Sequence, residues 1–244
     1  MLTFGPSPGL RTRLDSTGNA LSVALQWMRG IRMWNTVDEY LAWNRRMVVR
    51  LGSLSPCGTA AFAAGCAERV FQGYELFSIV TGWGNRDRVR SILDAVWRVV
   101  GAAEDLELTG VLEDLEQVVP HSADHQTPLA GCAIECICCC EVAARACTNQ
   151  ACAGAAASGS AMTSVLIPAV FSVSRGRFAG FGTTTQSDEL CRIASRVRSI
   201  GCEVAEQQAA CAALAGKTRL SRNEAEAQRI RACGAAHDFS ILRG

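Results

Sequence analysis

The sequence predicts an all-α protein, folded as a single compact multi-helix bundle with a helical N-terminal extension. Aromatic residues make up only 6% of the 244 residues. Long stretches are instead rich in Ala, Leu, Val, Arg and Glu, which favour helices over a β-sandwich. Apolar residues recur at helical spacing along most of the chain, and its length suffices for one domain with a substantial core.

Charge and cysteine content narrow the expected partners and compartment. The net charge of +1 gives no overall field that would favour nucleic acid or an anionic membrane, and we expect neither as a partner. The first residues, broken by Pro and Gly, do not resemble a secretory leader, so we expect a cytoplasmic protein. In that reducing compartment most of the 13 cysteines should be free thiols. No cofactor is indicated.

The chain is predicted to divide into an N-terminal extension, residues 1–46, and a main helical domain, residues 47–244. Residues 1–16 read as a disordered or loosely attached arm, and two short helical patterns follow from Asn19. Ser55 and Pro56 then form a good N-cap and first-turn pair, which predicts the start of the first core helix. We expect this helix to end near Gly73.

Three shorter elements are predicted next. Residues 74–80 resemble a short helix, ended by the turn Gly82-Trp83-Gly84, and Asn85 can cap the helix that follows. The inner face of that helix is apolar, and its outer face is basic through Arg86, Arg88 and Arg90. An acidic amphipathic helix then stops at Pro120, and we expect the basic and acidic faces to pack together.

The segment from Leu129 to Cys147 is apolar nearly all the way round, as in the central helix of a bundle. At 100° per residue, five thiols share one face while Cys138 points elsewhere; the five are Cys132, Cys136, Cys139, Cys140 and Cys147. Core packing is the favoured interpretation because buried Cys behaves as a small hydrophobe. The i, i+4 spacing also allows a soft metal, and a redox relay is a third possibility.

The uncharged run from Thr148 to Ser174 is long enough to span a membrane. Its many Ala, Gly and Ser residues make transfer into lipid unfavourable, so a buried helix or helix hairpin in a soluble protein is preferred. A long helix is then predicted from Ser187 to Leu214. Ser221 and Glu224 form a capping box for the last helix.

Two groups of residues are candidates for chemistry. His121, Asp124 and His125 form a compact cluster that can hold a metal if it is helical, but a solvated polar loop is the preferred interpretation and no metal is expected. Glu68 and Arg69 lie beside the apolar stripe of the first core helix. They can line a pocket, or one can be exposed while the other ties two helices together through a buried ion pair, which we favour.

The segment from Ala61 to Trp97 resembles the opening of the YjaG-like family, also called domain-of-unknown-function family 416. The shared order is Phe-Ala-Ala, Cys and Glu-Arg, Tyr-x-x-Phe, Gly-aromatic-Gly and a helix ending in Trp. The matching candidate residues are Cys66, Glu68, Arg69, Tyr74, Phe77, Gly82, Trp83 and Gly84. The resemblance extends over about residues 47–244. It implies a compact helical bacterial protein and no known activity.

The predicted function is therefore a non-catalytic, cytoplasmic protein-binding module, with neutralisation of a toxin as one candidate role. The alternative is an enzyme or small-ligand binder with a pocket near Glu68, Arg69, Tyr74 and Trp83. Catalytic residues are not identified, and the partner stays unknown. A homo-oligomer is also possible.

Overall fold

The structure is a computed structural model that describes residues 37–102, 108–121, 123–125, 127–148, 154–174 and 198–243. These residues form eight α-helices and a final 3₁₀ turn, with no strand among them, which confirms the predicted all-α class. The elements are α1 (Val37–Gly52), α2 (Pro56–Thr81), α3 (Arg86–Ala102), α4 (Leu108–Val118), α5 (Pro128–Cys147), α6 (Gly154–Ser174), α7 (Arg198–Leu214), α8 (Arg222–Gly234) and the turn Ser240–Arg243.

Several predicted segments lie outside the described residues. They are the N-terminal arm, the first helical pattern after Asn19 and the beginning of the helix predicted from Ser187. The second N-terminal pattern is α1, which crosses the predicted boundary at residue 46 and buries Trp43, Met47 and Leu51. The division into two parts itself stays a prediction.

Helices α2 and α5 form the centre of the bundle, and their contact is the most extensive between any two described helices. Small side chains let the two backbones approach closely, because α2 buries Ala60, Ala63, Ala64 and Ala67 while α5 contributes alanines and cysteines. Helix α6 packs along α5 and also contacts α2. The predicted start of α2 is confirmed, since the Ser55 side chain accepts a hydrogen bond from the Gly58 amide at 3.0 Å.

The predicted end of the first core helix near Gly73 is wrong, because α2 continues through Gly73 to Thr81. It ends at Gly82, whose φ of 67° gives the left-handed C-cap that glycine favours. Gly73 has a packing role instead: a Cβ atom there would lie 2.9 Å from the Cβ of Cys132 on α5. Gly73 therefore lies where α2 and α5 approach each other closely.

We expect the Gly73→Ala variant to be less stable than the wild type by about 1 to 3 kcal/mol, because the added methyl must push α2 and α5 apart. Gly159→Ala is the matched control, since Gly159 lies within α6 and a Cβ atom there would meet nothing within 4 Å. Alanine in an open helical position should stabilise by about 0.5 to 1 kcal/mol. Urea unfolding followed by circular dichroism measures both; equal effects would contradict the packing role of Gly73.

The outer helices confirm most of the predicted faces and caps. The amide of Arg88 donates to the Asn85 side chain at 2.9 Å, which confirms Asn85 as a cap of α3. An ion pair between Arg88 and Asp114 joins α3 to α4, so the basic and acidic helices do meet. The capping box of Ser221 and Glu224 is also present at the start of α8. The inner face of α3 is buried as predicted; its residues are Val89, Ile92, Leu93, Val96, Trp97 and Val100.

The uncharged run from Thr148 to Ser174, which is long enough to span a membrane, includes α6. Among the helices that the structure describes, none has the length and apolar character needed to cross a membrane. Helix α6 instead packs against α1, α2, α5 and α7.

Candidate functional site

Glu68 and Arg69 are both buried, with relative exposures of 4% and 2%. The expectation that one of the two charges would be exposed is therefore wrong. Consecutive residues of a helix point about 100° apart, so the two side chains leave α2 in different directions and find different partners. Arg69 pairs with Glu203 on α7, whereas Glu68 pairs with Arg90 on α3.

The Arg69–Glu203 pair is a two-pronged ion pair in the core. Arg69 donates through Nε to Oε2 at 2.7 Å and through Nη2 to Oε1 at 2.8 Å. Burial alone would raise the pKa of Glu203, but the charge and hydrogen bonds of Arg69, aided by His237, hold it at about 2. Both groups are therefore charged throughout the physiological pH range.

A wider network completes the hydrogen bonding of Glu203. The Nε2 atom of His237 lies 2.8 Å from Oε2, and the Gln207 side chain donates to Oε1 at 2.8 Å. Gln207 also donates to the backbone oxygen of Ser158 on α6 at 3.1 Å, and Arg69 donates to the Cys66 sulfur at 3.3 Å. The carboxylate thus joins α2, α6, α7 and the C-terminal segment, which is a structural role.

Glu68 is the centre of a second cluster, nearer the surface. Arg90 donates to Oε2 at 2.8 Å and the Trp97 indole donates to Oε1 at 3.1 Å. The Nε atom of Arg229 on α8 lies 3.5 Å from the same Oε1. Arg90 therefore does not belong to an outward basic face as predicted: its guanidinium turns inward and lies 4.5 Å from the centre of the Phe71 ring.

Tyr74 fastens the turn that follows α2. Its hydroxyl donates to the backbone oxygen of Val118 at 3.0 Å and accepts from the Asn85 amide at 3.1 Å. Gly84 has a φ of 85°, and a Cβ atom there would lie 2.8 Å from the Tyr74 hydroxyl. Burial raises the pKa of Tyr74 to about 12, so the hydroxyl stays neutral and able to donate.

The remaining motif residues form an aromatic contact with the loop before α5. The His125 ring lies 5.2 Å from Phe77 and 5.4 Å from Trp83, measured between ring centres. His121 and His125 belong to one turn, in which the His121 carbonyl accepts from the amides of Asp124 and His125. Within the described part of the chain, no group of three or more His, Cys, Asp or Glu side chains is placed to hold a metal ion.

The cysteine face of α5 is part of the core. Four of its five predicted thiols, at Cys132, Cys136, Cys139 and Cys140, are fully buried, while Cys147 is only partly buried. The thiols of Cys132 and Cys139 donate to backbone oxygens of α6. Burial raises the pKa of both well above the ordinary range, so neither is a ready thiolate. The contacts support core packing, and every described cysteine is a free thiol.

The described residues also form a groove of about 310 Å³ between α3 and α8, which we call the α3–α8 groove. Its lining residues are Asp94, Trp97, Arg98 and Gly101 on α3, and Arg222, Ala225, Glu226 and Arg229 on α8. Asp94 and Arg229 pair across it. Arg98 and Arg222 are exposed, and no described acidic side chain forms an ion pair with either.

The predicted site residues thus divide among four places. Arg69 and Cys66 belong to the Glu203 network, Glu68 to the cluster under the groove, Tyr74 to the turn, and Trp83 to the aromatic contact. The structure does not bring Glu68, Arg69, Tyr74 and Trp83 together around one described pocket. Sequence reasoning missed Glu203 and Gln207, although their i, i+4 spacing on the apolar face of α7 is a signal of a buried polar pair.

The fold and these clusters define an all-α bundle with an apolar core and buried ion pairs within it. The chain belongs to the family described as "Protein of unknown function (DUF416)", whose sequence model matches residues 46–168, half of the chain. This confirms the resemblance found in the motif residues. No curated protein matches the chain.

A solved structure has the same fold. It is the crystal structure of a DUF416 family protein from Shewanella baltica OS155, which superposes with a TM-score of 0.63. The two sequences are 15% identical, and the match covers 77% of this chain and 93% of the other. At this identity the likeness concerns the fold alone.

Proposed function

We propose that this chain is a non-catalytic binding protein whose α3–α8 groove receives a short acidic segment of a partner protein. The observation that carries the proposal is the pair of exposed, unpaired guanidinium groups of Arg98 and Arg222. Arg69, Glu203 and Glu68, by contrast, are used inside the fold. The groove therefore has binding capacity for an anion that the protein itself does not use.

The charges of the groove favour an acidic ligand. Among the described lining residues, Asp94 already pairs with Arg229, which leaves the guanidinium groups of Arg98 and Arg222 against the carboxylate of Glu226. A guanidinium group binds a carboxylate through two parallel hydrogen bonds, so two arginines on facing helices can hold two neighbouring carboxylates.

The shape of the groove suits a peptide segment. Asp94 and Gly101 are two helical turns apart, about 10 Å at 1.5 Å per residue, which matches about three extended residues. Trp97 lines the groove together with the arginines, so an apolar contact is available beside the charged ones. Arginine with a neighbouring apolar side chain is typical of protein interfaces.

The test is an NMR titration of the ¹⁵N-labelled protein with a short peptide that carries two adjacent glutamates. We expect the amide resonances of α3 and α8 around the groove to shift. A control peptide with glutamines in place of the two glutamates should leave them unchanged. The double variant Arg98→Ala/Arg222→Ala should bind at least about tenfold more weakly, because charged hydrogen bonds are lost. The control is Arg45→Ala/Arg46→Ala, which removes two exposed arginines of α1, a helix that packs on α6 and α7. Equal weakening by both double variants would contradict the proposal.

A small anionic ligand is the second candidate, because 310 Å³ lies at the lower end of the range for small-molecule sites. This candidate corresponds to the alternative prediction of a small-ligand pocket near Glu68, since Glu68 lies beneath the groove. Titration with succinate distinguishes the two. Tighter binding of succinate than of the peptide, lost in Arg98→Ala/Arg222→Ala, would replace the peptide by a small dicarboxylate as the ligand.

A further inference from the structure

We infer that Asp94 determines the specificity of the α3–α8 groove by competing with the ligand for Arg229. The inference rests on the proposed binding function and goes beyond it. It assigns a role to Asp94, a residue whose negative charge repels an anionic ligand. Asp94 lines the groove and forms an ion pair with Arg229, the third arginine of the site.

Arg229 lies between two carboxylates of different character. Its Nε atom is 3.5 Å from Oε1 of Glu68, whose side chain is 1% exposed, and its Nη2 atom bonds Oδ1 of Asp94, whose side chain is 43% exposed. Asp94 has one more basic neighbour, the Nε atom of Arg90 at 3.7 Å. The guanidinium group of Arg229 is therefore positioned from below by Glu68 and occupied from the solvent side by Asp94.

The two carboxylates differ in how easily a ligand can replace them. Glu68 is fixed, because Arg90 and Trp97 donate to it and removing one partner of a buried carboxylate is costly. Asp94 is held in a half-exposed ion pair, and such pairs contribute little to stability because water competes for both charges. An incoming carboxylate can therefore take the place of Asp94 on Arg229.

This exchange sets what the groove accepts. A ligand with a single carboxylate can pair with Arg98 or Arg222, but it still faces the negative charge of Asp94. A ligand with two adjacent carboxylates can use the second one to displace Asp94 from Arg229. The groove should thus select segments with at least two neighbouring acidic residues, and the presence of Asp94 lowers the affinity for all of them.

The test compares Asp94→Asn with Asp87→Asn in the same NMR titration with the two-glutamate peptide. Asp87 lies in the first turn of α3, away from the groove, and is 90% exposed, so the control makes the same change of net charge on the same helix. We expect Asp94→Asn to raise the affinity by roughly three- to tenfold. Asp87→Asn should change it by less than about twofold.

The outcomes separate the inference from the proposal beneath it. Suppose that the wild type binds the peptide and Arg98→Ala/Arg222→Ala weakens binding, but the affinity of Asp94→Asn rises no more than that of Asp87→Asn. The inference about Asp94 is then wrong, while the proposed binding function stands. If the peptide does not bind the wild type or either aspartate variant, both are wrong. Asp94→Ser serves as a second variant should asparagine disturb folding, and the same gain in affinity is expected from it.

Discussion

Replacing Arg69 by methionine is expected to destabilise the protein by about 3 to 5 kcal/mol, a large fraction of the stability of about 5 to 15 kcal/mol that is usual for a folded protein. The loss arises because Glu203, which is fully buried, would lose its counter-charge and two hydrogen bonds at once. His237 and Gln207 stay in place as partners, but they do not replace the two hydrogen bonds that Arg69 donates. Urea unfolding followed by circular dichroism measures the difference.

Two further variants show whether the buried charge is the cause. Arg69→Met/Glu203→Gln removes both charges, so it should recover at least half of the stability that Arg69→Met loses. Arg88→Met makes the same side-chain change at an arginine that is half-exposed and pairs with Asp114, and it should have little effect. An unfolding free energy of Arg69→Met close to that of Arg88→Met would show that the buried pair is not needed.

The second large effect is expected at Glu135, a carboxyl group buried between α5 and α6. Its side chain contacts Ser160, but its Oε2 atom is buried and has no hydrogen-bond partner among the described residues. Burial raises the pKa of Glu135 from its ordinary 4.5 to about 7, and the Ser160 hydrogen bond offsets only part of this. The folded protein therefore holds this proton more tightly than the unfolded chain does.

The sign of the pH dependence follows from that difference. Below about pH 4.5 the group is protonated in both states and has no effect on stability. As the pH rises to about 7, the unfolded chain loses the proton and the folded protein keeps it, so stability falls by about 3 kcal/mol in total. Above this pH the loss is complete and stays constant.

Unfolding free energies of the wild type and Glu135→Gln between pH 5 and 8.5 measure this effect. The variant has no carboxyl group at this position, so it should lack this fall in stability and be more stable than the wild type at pH 8. Glu203 stays charged over the whole range because its pKa is about 2, so it does not contribute a slope. Glu113→Gln, a change at an exposed glutamate of α4, is the control and should run parallel to the wild type. Parallel curves for all three proteins would contradict a buried, protonated Glu135.

Local signals in the sequence were sufficient to predict most helix boundaries. Ser55, Asn85 and the Ser221–Glu224 box act within three or four residues of themselves, and each caps the helix that was predicted. The error at Gly73 has a different physical origin. A glycine can end a helix or admit a neighbouring helix, and Cys132, which decides between these roles, is far away in the sequence.

The site was harder to predict for the same reason. The motif drew attention to Glu68 and Arg69. Arg90, a partner of Glu68, is near in sequence, but Glu203 and Arg229 come from α7 and α8, more than 130 residues later. Likewise, the α3–α8 groove forms only because these two helices pack side by side. Periodicity shows which face of a helix is buried, but it does not show which helix covers that face.

The two members of the Arg69–Glu203 pair are also made at different times during synthesis of the chain. Arg69 is made 134 residues before Glu203, so during that part of synthesis its guanidinium group has no buried counter-ion. A guanidinium group without a counter-ion is strongly hydrated, so we expect water to remain around this part of α2 until α7 is made. We therefore expect the centre of the bundle to lose its water only after α7 is made, and a chain cut short before α7 would lack the charge that pairs with Arg69.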